Sequence, residues 1–139
     1  MSIETKYKKI VVSGKRKEAK AKAVITSGKG DVTLNGKKYE LLQLFDRLRI
    51  AEPLRIAEQV LGKNTFDAKI TIHGGGQKGQ TEAARLALAK GIVKFYNSDE
   101  LKQVYLQYDR NMLIADVRRK EACKPGDSKA RRSRQTSYR

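Results

Sequence analysis

The sequence predicts an α+β protein with a mainly antiparallel sheet, helices packed on one face of that sheet, and an extended basic C-terminal tail. In the first half of the 139 residues, apolar and polar side chains alternate as in strands with one buried face. The second half changes to helical periodicity, and this segregation favours α+β over an alternating parallel α/β layout. The last eleven residues contain five basic side chains and no aliphatic one larger than alanine, so they cannot join a core.

Two strands are predicted near the N-terminus, at residues 7–12 and 19–25, with a turn at 14–17 between them. Alanines of the second strand alternate with Lys20 and Lys22, which places both lysines on one face of the sheet. These lysines and the basic side chains of the turn form a predicted basic ridge, which consists of Lys15, Arg16, Lys17, Lys20 and Lys22.

A second hairpin is predicted around Asn35-Gly36, a dipeptide that readily adopts the two positive φ angles of a two-residue turn. Its strands are residues 31–34 and 37–41. Pro53 then suits the first turn of a short helix that ends at Gly62, because a proline at that position costs no hydrogen bond.

The second half of the body begins with a half-buried strand at residues 66–72, which runs into a glycine-rich loop. The longest helical pattern follows at residues 81–96 and has a single apolar stripe. Ser98 is a predicted N-cap for another helix, and Asp99 and Glu100 are favourably placed at its positive end.

The positive charge of the chain is concentrated in two segments. There are 31 Lys+Arg against 15 Asp+Glu, which gives a formal net charge of +16. Residues 5–22 and residues 118–139 contribute +7 each, so all other residues together contribute only +2. This distribution indicates binding to nucleic acid, to an anionic membrane surface or to an acidic partner.

Several functional classes are excluded by what the sequence lacks. Its single cysteine, Cys123, cannot form an intrachain disulfide, and its single histidine leaves no cluster with metal-ligand spacing. No recognisable nucleophile or orienting acid accompanies His73, so no catalytic residue, metal or cofactor is expected. Since no apolar run could span a bilayer and the tail lacks bulky apolar anchors, we expect a soluble cytoplasmic protein without a membrane partner or a small-molecule substrate.

The glycine-rich loop at residues 74–81 approaches the nucleotide-binding pattern G-x-x-x-x-G-K-[ST]. Gln80 stands where that pattern needs lysine, and Lys78 comes two positions too early, so an NTPase site is disfavoured. Two interpretations stay open. Glycine amides at a helix N-terminus can bind a phosphate of any kind, including one in an RNA backbone, whereas the glycines can equally serve only a tight turn with positive φ angles.

The tail differs from the solvated face of an ordinary domain. Surface charges on folded domains mix both signs, whereas residues 129–139 carry one sign only. Four of their five basic side chains are arginine, whose planar guanidinium binds phosphate oxygens bidentately and stacks on bases. Composition and patterning therefore predict a one-domain RNA-binding protein with two basic extensions.

Taken in order, short motifs along nearly the whole chain resemble the universal small-subunit ribosomal protein nine family, in its archaeal and eukaryotic form. The motifs are Ser13-Gly-Lys-Arg-Lys17, residues 32–36 with the Asn35-Gly36 turn, Glu52-Pro53-Leu54, Gly74-Gly-Gly76 with Gly79-Gln80, Tyr108-Asp109-Arg110, Arg118-Arg119, Ala130-Arg131-Arg132 and Ser137-Tyr138-Arg139. Each motif is weak alone, and the combination is specific. Two positions depart from the family pattern: Val117, where proline is usual, and Thr136, where a basic residue is common.

The resemblance implies a structural, non-enzymatic component of the small ribosomal subunit, with a body at residues 1–116 that is similar to the second domain of small-subunit protein five. It implies binding to 16S-type rRNA in the subunit head, next to neighbouring head proteins. The tail, residues 117–139, is then expected to reach the anticodon stem-loop of the peptidyl-site tRNA and to contact phosphate. The rRNA-binding residues expected are Lys15, Arg16, Lys17, Lys20, Lys22, Gly74, Gly75, Gly76, Lys78, Arg110, Arg118, Arg119, Lys129, Arg131, Arg132 and Arg134. The tRNA-binding residues expected are Tyr138 and Arg139.

Overall fold

The computed structural model describes residues 9–126, 129–133 and 137. Its strands are β1 (Lys9–Arg16), β2 (Ala19–Ser27), β3 (Val32–Leu34), β4 (Lys37–Lys38) and β5 (Phe66–His73). Its helices are α1 (Leu44–Leu61), α2 (Gln77–Tyr96) and α3 (Asp99–Tyr108), and short 3₁₀ turns cover Tyr39–Leu41 and Arg110–Met112.

The strands form one sheet in the order β1-β2-β5-β3-β4. Neighbouring strands are antiparallel except β3 and β5, which run parallel because the chain passes through α1 between them. The predicted α+β fold with a mainly antiparallel sheet is confirmed.

One face of the sheet is covered by helices and forms the core. Alternate residues of β2 and β5 are buried there, including Ile25, Phe66 and Ile70, as the period-two pattern predicts. α2 packs directly on β1 and β2, α1 packs beside α2, and α3 packs against α1. The polar alternates of the same strands lie on the opposite face.

The predicted turn at residues 14–17 is wrong, because β1 continues to Arg16 and the hairpin turns at Lys17 and Glu18. Gly14 lies within the strand, where α2 passes very close. A Cβ atom on Gly14 would overlap the carbonyl oxygen of Ala83 and come within 2.7 Å of the amide nitrogen of Ala87. This glycine therefore permits close helix–sheet packing instead of forming a turn.

The predicted start of the first helix is also wrong, because α1 begins at Leu44 and contains Pro53 in its interior. An interior proline removes one backbone hydrogen bond and costs about 3 kcal/mol. Ile50, Leu54 and Ala57 form a buried stripe on the same side of α1, and burying each large aliphatic side chain stabilises by about 1.5–3 kcal/mol. Tertiary burial thus outweighs the local preference, while the predicted end at Gly62 is confirmed.

The helices after β5 follow the predicted pattern with one change of boundary. α2 starts at Gln77 instead of residue 81, directly after the glycines. The predicted N-cap of α3 is confirmed, since the Ser98 hydroxyl accepts a hydrogen bond from the Leu101 amide at 3.3 Å. Tyr105 of α3 is fully buried and donates a hydrogen bond of 2.6 Å to the carbonyl of Pro53. Burial raises the pKa of the Tyr105 hydroxyl, so it remains a donor.

The second predicted hairpin is confirmed, with positive φ angles of 47° at Asn35 and 81° at Gly36. Its second strand is shorter than predicted, since β4 ends at Lys38 and a 3₁₀ turn follows. The Asn35 side chain also accepts a hydrogen bond of 2.8 Å from the Ile72 amide, which ties the turn to β5.

Candidate nucleic-acid interface

The face of the sheet opposite the helices, which we call the open sheet face, carries a group of lysines. It is formed by alternate residues of β1, β2 and β5, namely Lys9, Val11, Ser13, Lys15, Lys20, Lys22, Val24, Thr26, Asp67, Lys69, Thr71 and His73. Strand register places Lys20 between Lys15 on β1 and His73 on β5, so the three side chains form a row. The predicted position of Lys20 and Lys22 on one face is therefore confirmed, and Lys15, which was predicted in the turn, joins them from β1.

The lysines of the open sheet face are crowded in a way that does not favour the isolated fold. Lys15 and Lys20 are directly paired across β1 and β2, and like charges at directly opposite positions destabilise a sheet. Lys22 follows Lys20 on the same face, at about 7 Å along the strand. Such an arrangement is stabilised by an anion that bridges the ammonium groups.

Asp67 is the one acidic strand residue on the open sheet face within the described residues, and it is engaged by the protein itself. Its carboxylate accepts hydrogen bonds from the backbone amides of Lys29, Gly30 and Asp31 at 2.8, 3.1 and 3.0 Å. Burial raises the pKa of the Asp67 carboxyl, but these three amides and the Lys29 charge outweigh it, so the pKa is lowered overall. Asp67 thus fixes a loop, and among the described ion pairs none joins it to a lysine of this face.

At one end of the open sheet face, three segments that are distant in sequence come together. We call this the hairpin end, and it comprises the β1–β2 turn, glycines 74–76 and residues 116–119. Arg119 contacts the Lys17 carbonyl and lies 3.6 Å from the Glu18 carboxylate. The predicted basic ridge and the start of the predicted tail are therefore adjacent.

Asp116 holds the start of the tail against the body. Its carboxylate accepts three hydrogen bonds of 2.6–3.1 Å from the Arg118 guanidinium and also forms an ion pair with Arg16. Hydrogen bonds from Arg118, followed by one from Arg16, lower the pKa of the Asp116 carboxyl well below its usual range. Arg16 and Arg118 were expected to bind rRNA, and in the described structure both are engaged by this carboxylate.

Backbone conformation and close contacts explain why two of the three glycines in the loop are glycine. Gly74 and Gly75 have φ angles of +73° and +67°, and a Cβ atom on either would come within 2.8 Å of the backbone of the β1–β2 turn. The tight-turn interpretation therefore holds for this pair. Gly76 has open space around it, and phosphate binding by the loop amides stays a prediction.

The two motifs that contain Glu52 and Asp109 meet at a buried arginine. Arg85 of α2 is 8% exposed and binds Glu52 at 2.7 Å and Asp109 at 2.8 Å. Removing either acid would leave this buried guanidinium with one carboxylate fewer and is expected to destabilise the fold. These acids therefore have a role in stability, whereas Arg110 in the following 3₁₀ turn is exposed.

The remaining predicted site residues are divided among different places. Lys78 lies at the start of α2, two residues after Gly76, and lines a separate groove beside Phe45. In the tail, Lys129 and Arg132 are exposed, and Arg131 pairs with Glu121 at 3.0 Å. Arg134, Tyr138 and Arg139 lie outside the described residues.

Sequence reasoning missed two lysines of the open sheet face and Asp116 at the hairpin end. Lys9 and Lys69 join the face through strand register, which depends on which strands become neighbours. The pairing of β2 with β5 spans a long stretch of chain and left no local signal. Asp116 did carry one, because an Asp two residues before an amide that it accepts from is a common turn motif.

Two further observations concern metal binding and membrane crossing by the described residues. They contain no group of three or more His, Cys, Asp or Glu side chains arranged to hold a metal ion. Among the helices within the described part of the chain, none is both long and apolar enough to cross a bilayer.

Comparison with known proteins gives a consistent result over the whole length. The sequence profile of the family described as ribosomal protein S9/S16 matches residues 14–139. Small ribosomal subunit protein uS9 of Saccharolobus solfataricus is 45% identical over 140 aligned residues, which cover 100% of both chains. The uS9 proteins of Desulfurococcus amylolyticus and Thermoplasma volcanium are 42% and 43% identical, covering 99% and 94% of this chain and 98% of each relative.

Proposed function

This chain belongs to the ribosomal protein S9/S16 family and is a structural, non-enzymatic constituent of the small ribosomal subunit; from this premise we propose how it binds its RNA partners. The open sheet face and the basic tail form one surface for 16S-type rRNA in the subunit head, where other head proteins are its neighbours. The end of the tail contacts the anticodon stem-loop of peptidyl-site tRNA. The protein therefore resides in the ribosome and not in a membrane.

One observation carries the rRNA part of this proposal. On β1, β2 and β5 the open sheet face presents five lysines, Lys9, Lys15, Lys20, Lys22 and Lys69, while the one acid on these three strands of that face is bound by its own loop. A polyanion that binds there relieves lysine–lysine repulsion and releases its own counterions, and both effects favour association. A folded RNA supplies phosphates at the required density.

The structure of the tail root supports a continuous surface. We place the boundary between body and tail after residue 116, because Asp116 still pairs with Arg16 of β1, whereas residues 117–126 are exposed and contain no helix or strand. Since the tail leaves the body at the hairpin end, RNA bound across Lys15 and Lys20 meets the first tail arginines. Arginines beyond this point bind phosphates in spaces that a globular body cannot enter.

The tRNA part of the proposal predicts a contact that does not depend on tRNA sequence. Arg139 binds a backbone phosphate, and Tyr138 supports it by hydrogen bonding or stacking. Subunits reconstituted with a chain lacking residues 137–139 should contain the chain in normal amount. They should hold peptidyl-site tRNA roughly 10- to 150-fold less tightly, because one charge-assisted hydrogen bond contributes about 1.5–3 kcal/mol.

The measurement is the dissociation constant of several unrelated tRNAs at the peptidyl site of these subunits. A matched variant, Thr136→Ala, keeps the terminal residues and should bind tRNA like the intact chain. Equal tRNA affinity with and without residues 137–139 would show that the end of the tail makes no tRNA contact.

A further inference from the structure

The start of α1 exposes a cluster of large apolar side chains that the RNA-binding surface does not use. Phe45 is 79% exposed, Leu41 77%, Leu44 57% and Leu48 40%. Single exposed apolar residues are normal on a protein surface, but contiguous groups usually mark an interface. We call these four residues the α1 patch.

The α1 patch lies on the side of α1 that faces away from the core. At about 100° per residue, Leu44, Phe45 and Leu48 fall within one quarter to one third of the helix circumference. The buried stripe of Ile50, Leu54 and Ala57 falls on the opposite side. α1 is thus apolar on two opposite sides at its start, and intramolecular packing uses only one of them.

Beyond its first turns, the outer side of α1 becomes polar. Arg55 and Gln59 continue the direction of Leu44 and Leu48, and both are exposed. The apolar character is therefore confined to a patch and does not extend along the helix, as it would in a helix that packs along its whole length. Leu41 in the preceding 3₁₀ turn extends the patch toward the sheet.

A groove of about 390 Å³ adjoins the patch and is electrically balanced. It is lined by Phe45 and Leu48, by the acids Asp46 and Glu52, and by the bases Arg49 and Lys78. Arg49 is also paired with Glu82, and Glu52 with the buried Arg85. The groove consequently offers an RNA phosphate no net attraction, in a chain whose total charge is +16.

We infer that the α1 patch and its groove bind a neighbouring protein of the small subunit, through apolar side chains on a segment without net charge. We infer a protein, and not RNA, as the partner because of the charge on each surface. The basic open sheet face suits a polyanion, and the neutral α1 patch on the outer side of α1 suits a protein surface with its own charges paired. The inference requires that the chain resides in the small subunit, as stated under the proposed function.

The RNA and the neighbouring protein are thus expected to bind different surfaces of the chain. α1 packs on the helix-covered side of the sheet, and the patch faces away from that core. A protein neighbour on the outer side of α1 therefore leaves Lys20 and Lys22 accessible to RNA, whereas Lys15 lines a pocket that shares Arg49 and Glu52 with the groove. The patch adds protein contact to a subunit that the chain already enters through RNA.

The test replaces Phe45 with the photoreactive analogue p-benzoylphenylalanine in the full chain, in purified small subunits. The expected product is a covalent adduct with a different small-subunit protein that survives ribonuclease and is identified by mass spectrometry. A matched probe at Val11, on the open sheet face, should instead give an adduct that ribonuclease shortens.

A second measurement uses Leu41→Ser combined with Phe45→Ser. The affinity of this variant for free rRNA should stay within about 2-fold of that of the intact chain. Its urea midpoint should change by only about a few tenths of a molar, because these side chains are exposed. In one-to-one competition for incorporation into subunits, the variant should lose by about 10-fold. The control pair Leu106→Ser and Tyr108→Ser on α3 should compete nearly equally.

The outcomes separate the possible occupants. An RNA adduct at Phe45, an adduct with a second copy of this chain, or no adduct while the Val11 probe reacts would each overturn the inference and leave the proposed function intact. Absence of the intact chain from purified subunits would overturn both.

Discussion

A chain in which Lys15, Lys20 and Lys22 are all replaced by alanine is expected to bind small-subunit rRNA roughly 100-fold more weakly at about 0.15 M salt. Each lysine that neutralises a phosphate contributes about 0.7–0.9 to the slope of log affinity against log salt, so the slope should fall by about 2. Filter binding of the full chain across a salt titration measures both quantities. Folding should be unaffected, because the substitution removes the repulsion between Lys15 and Lys20.

A matched control removes the same charge from the helical side of the body. Lys63, Lys94 and Lys102 are exposed there, and their triple replacement by alanine gives the same net charge. If the open sheet face binds RNA, the slope of log affinity against log salt should fall less in the control. That fall should be under about a third of the fall seen in the first variant. Equal losses in the two variants would mean that the chain binds RNA through overall charge and that the open sheet face has no special role.

Replacing Gly14 by alanine is expected to cost at least about 3 kcal/mol of the free energy of unfolding. The added methyl group would overlap the Ala83 carbonyl, and neither β1 nor the first half of α2 can move without opening the core. Domains of this size have a free energy of unfolding of only about 5–15 kcal/mol, so the substitution removes a large share of it. Urea denaturation followed by circular dichroism measures the change.

Gly76→Ala provides the same chemical change at a position with space. A Cβ atom at Gly76 would meet nothing within 4 Å, and its φ angle of −105° suits alanine. As an N-cap replacement it should cost about 1 kcal/mol or less. Similar urea midpoints for the two variants would contradict the close approach of β1 and α2.

Features set by neighbouring residues could be predicted from the sequence, and features set by distant contacts could not. The Asn35-Gly36 turn and the Ser98 cap depend on dihedral preferences and on a hydrogen bond within four residues. Gly14 has the same local preferences as a turn glycine, and only the approach of α2 explains it. Pro53 is tolerated inside α1 because the buried stripe around it is formed with α2 and α3.

The same distinction applies to the candidate site. Alternation within β2 was enough to place Lys20 and Lys22 on one face, because both belong to one strand. Lys69 joins them only through the β2–β5 pairing, which no local pattern specifies. Asp116 likewise acts on Arg16, exactly one hundred positions earlier in the chain. The ion pairs of the predicted arginines therefore had to be read from the structure.

The most direct test of the central claim is ultraviolet crosslinking of intact small subunits, followed by mass spectrometry of the peptides that carry nucleotides. Binding of rRNA to the open sheet face and the tail predicts that nucleotides are attached to peptides from residues 15–22, 69–73 and 129–139. Nucleotides confined to the outward surfaces of α1 and α3, with none on these three segments, would contradict it.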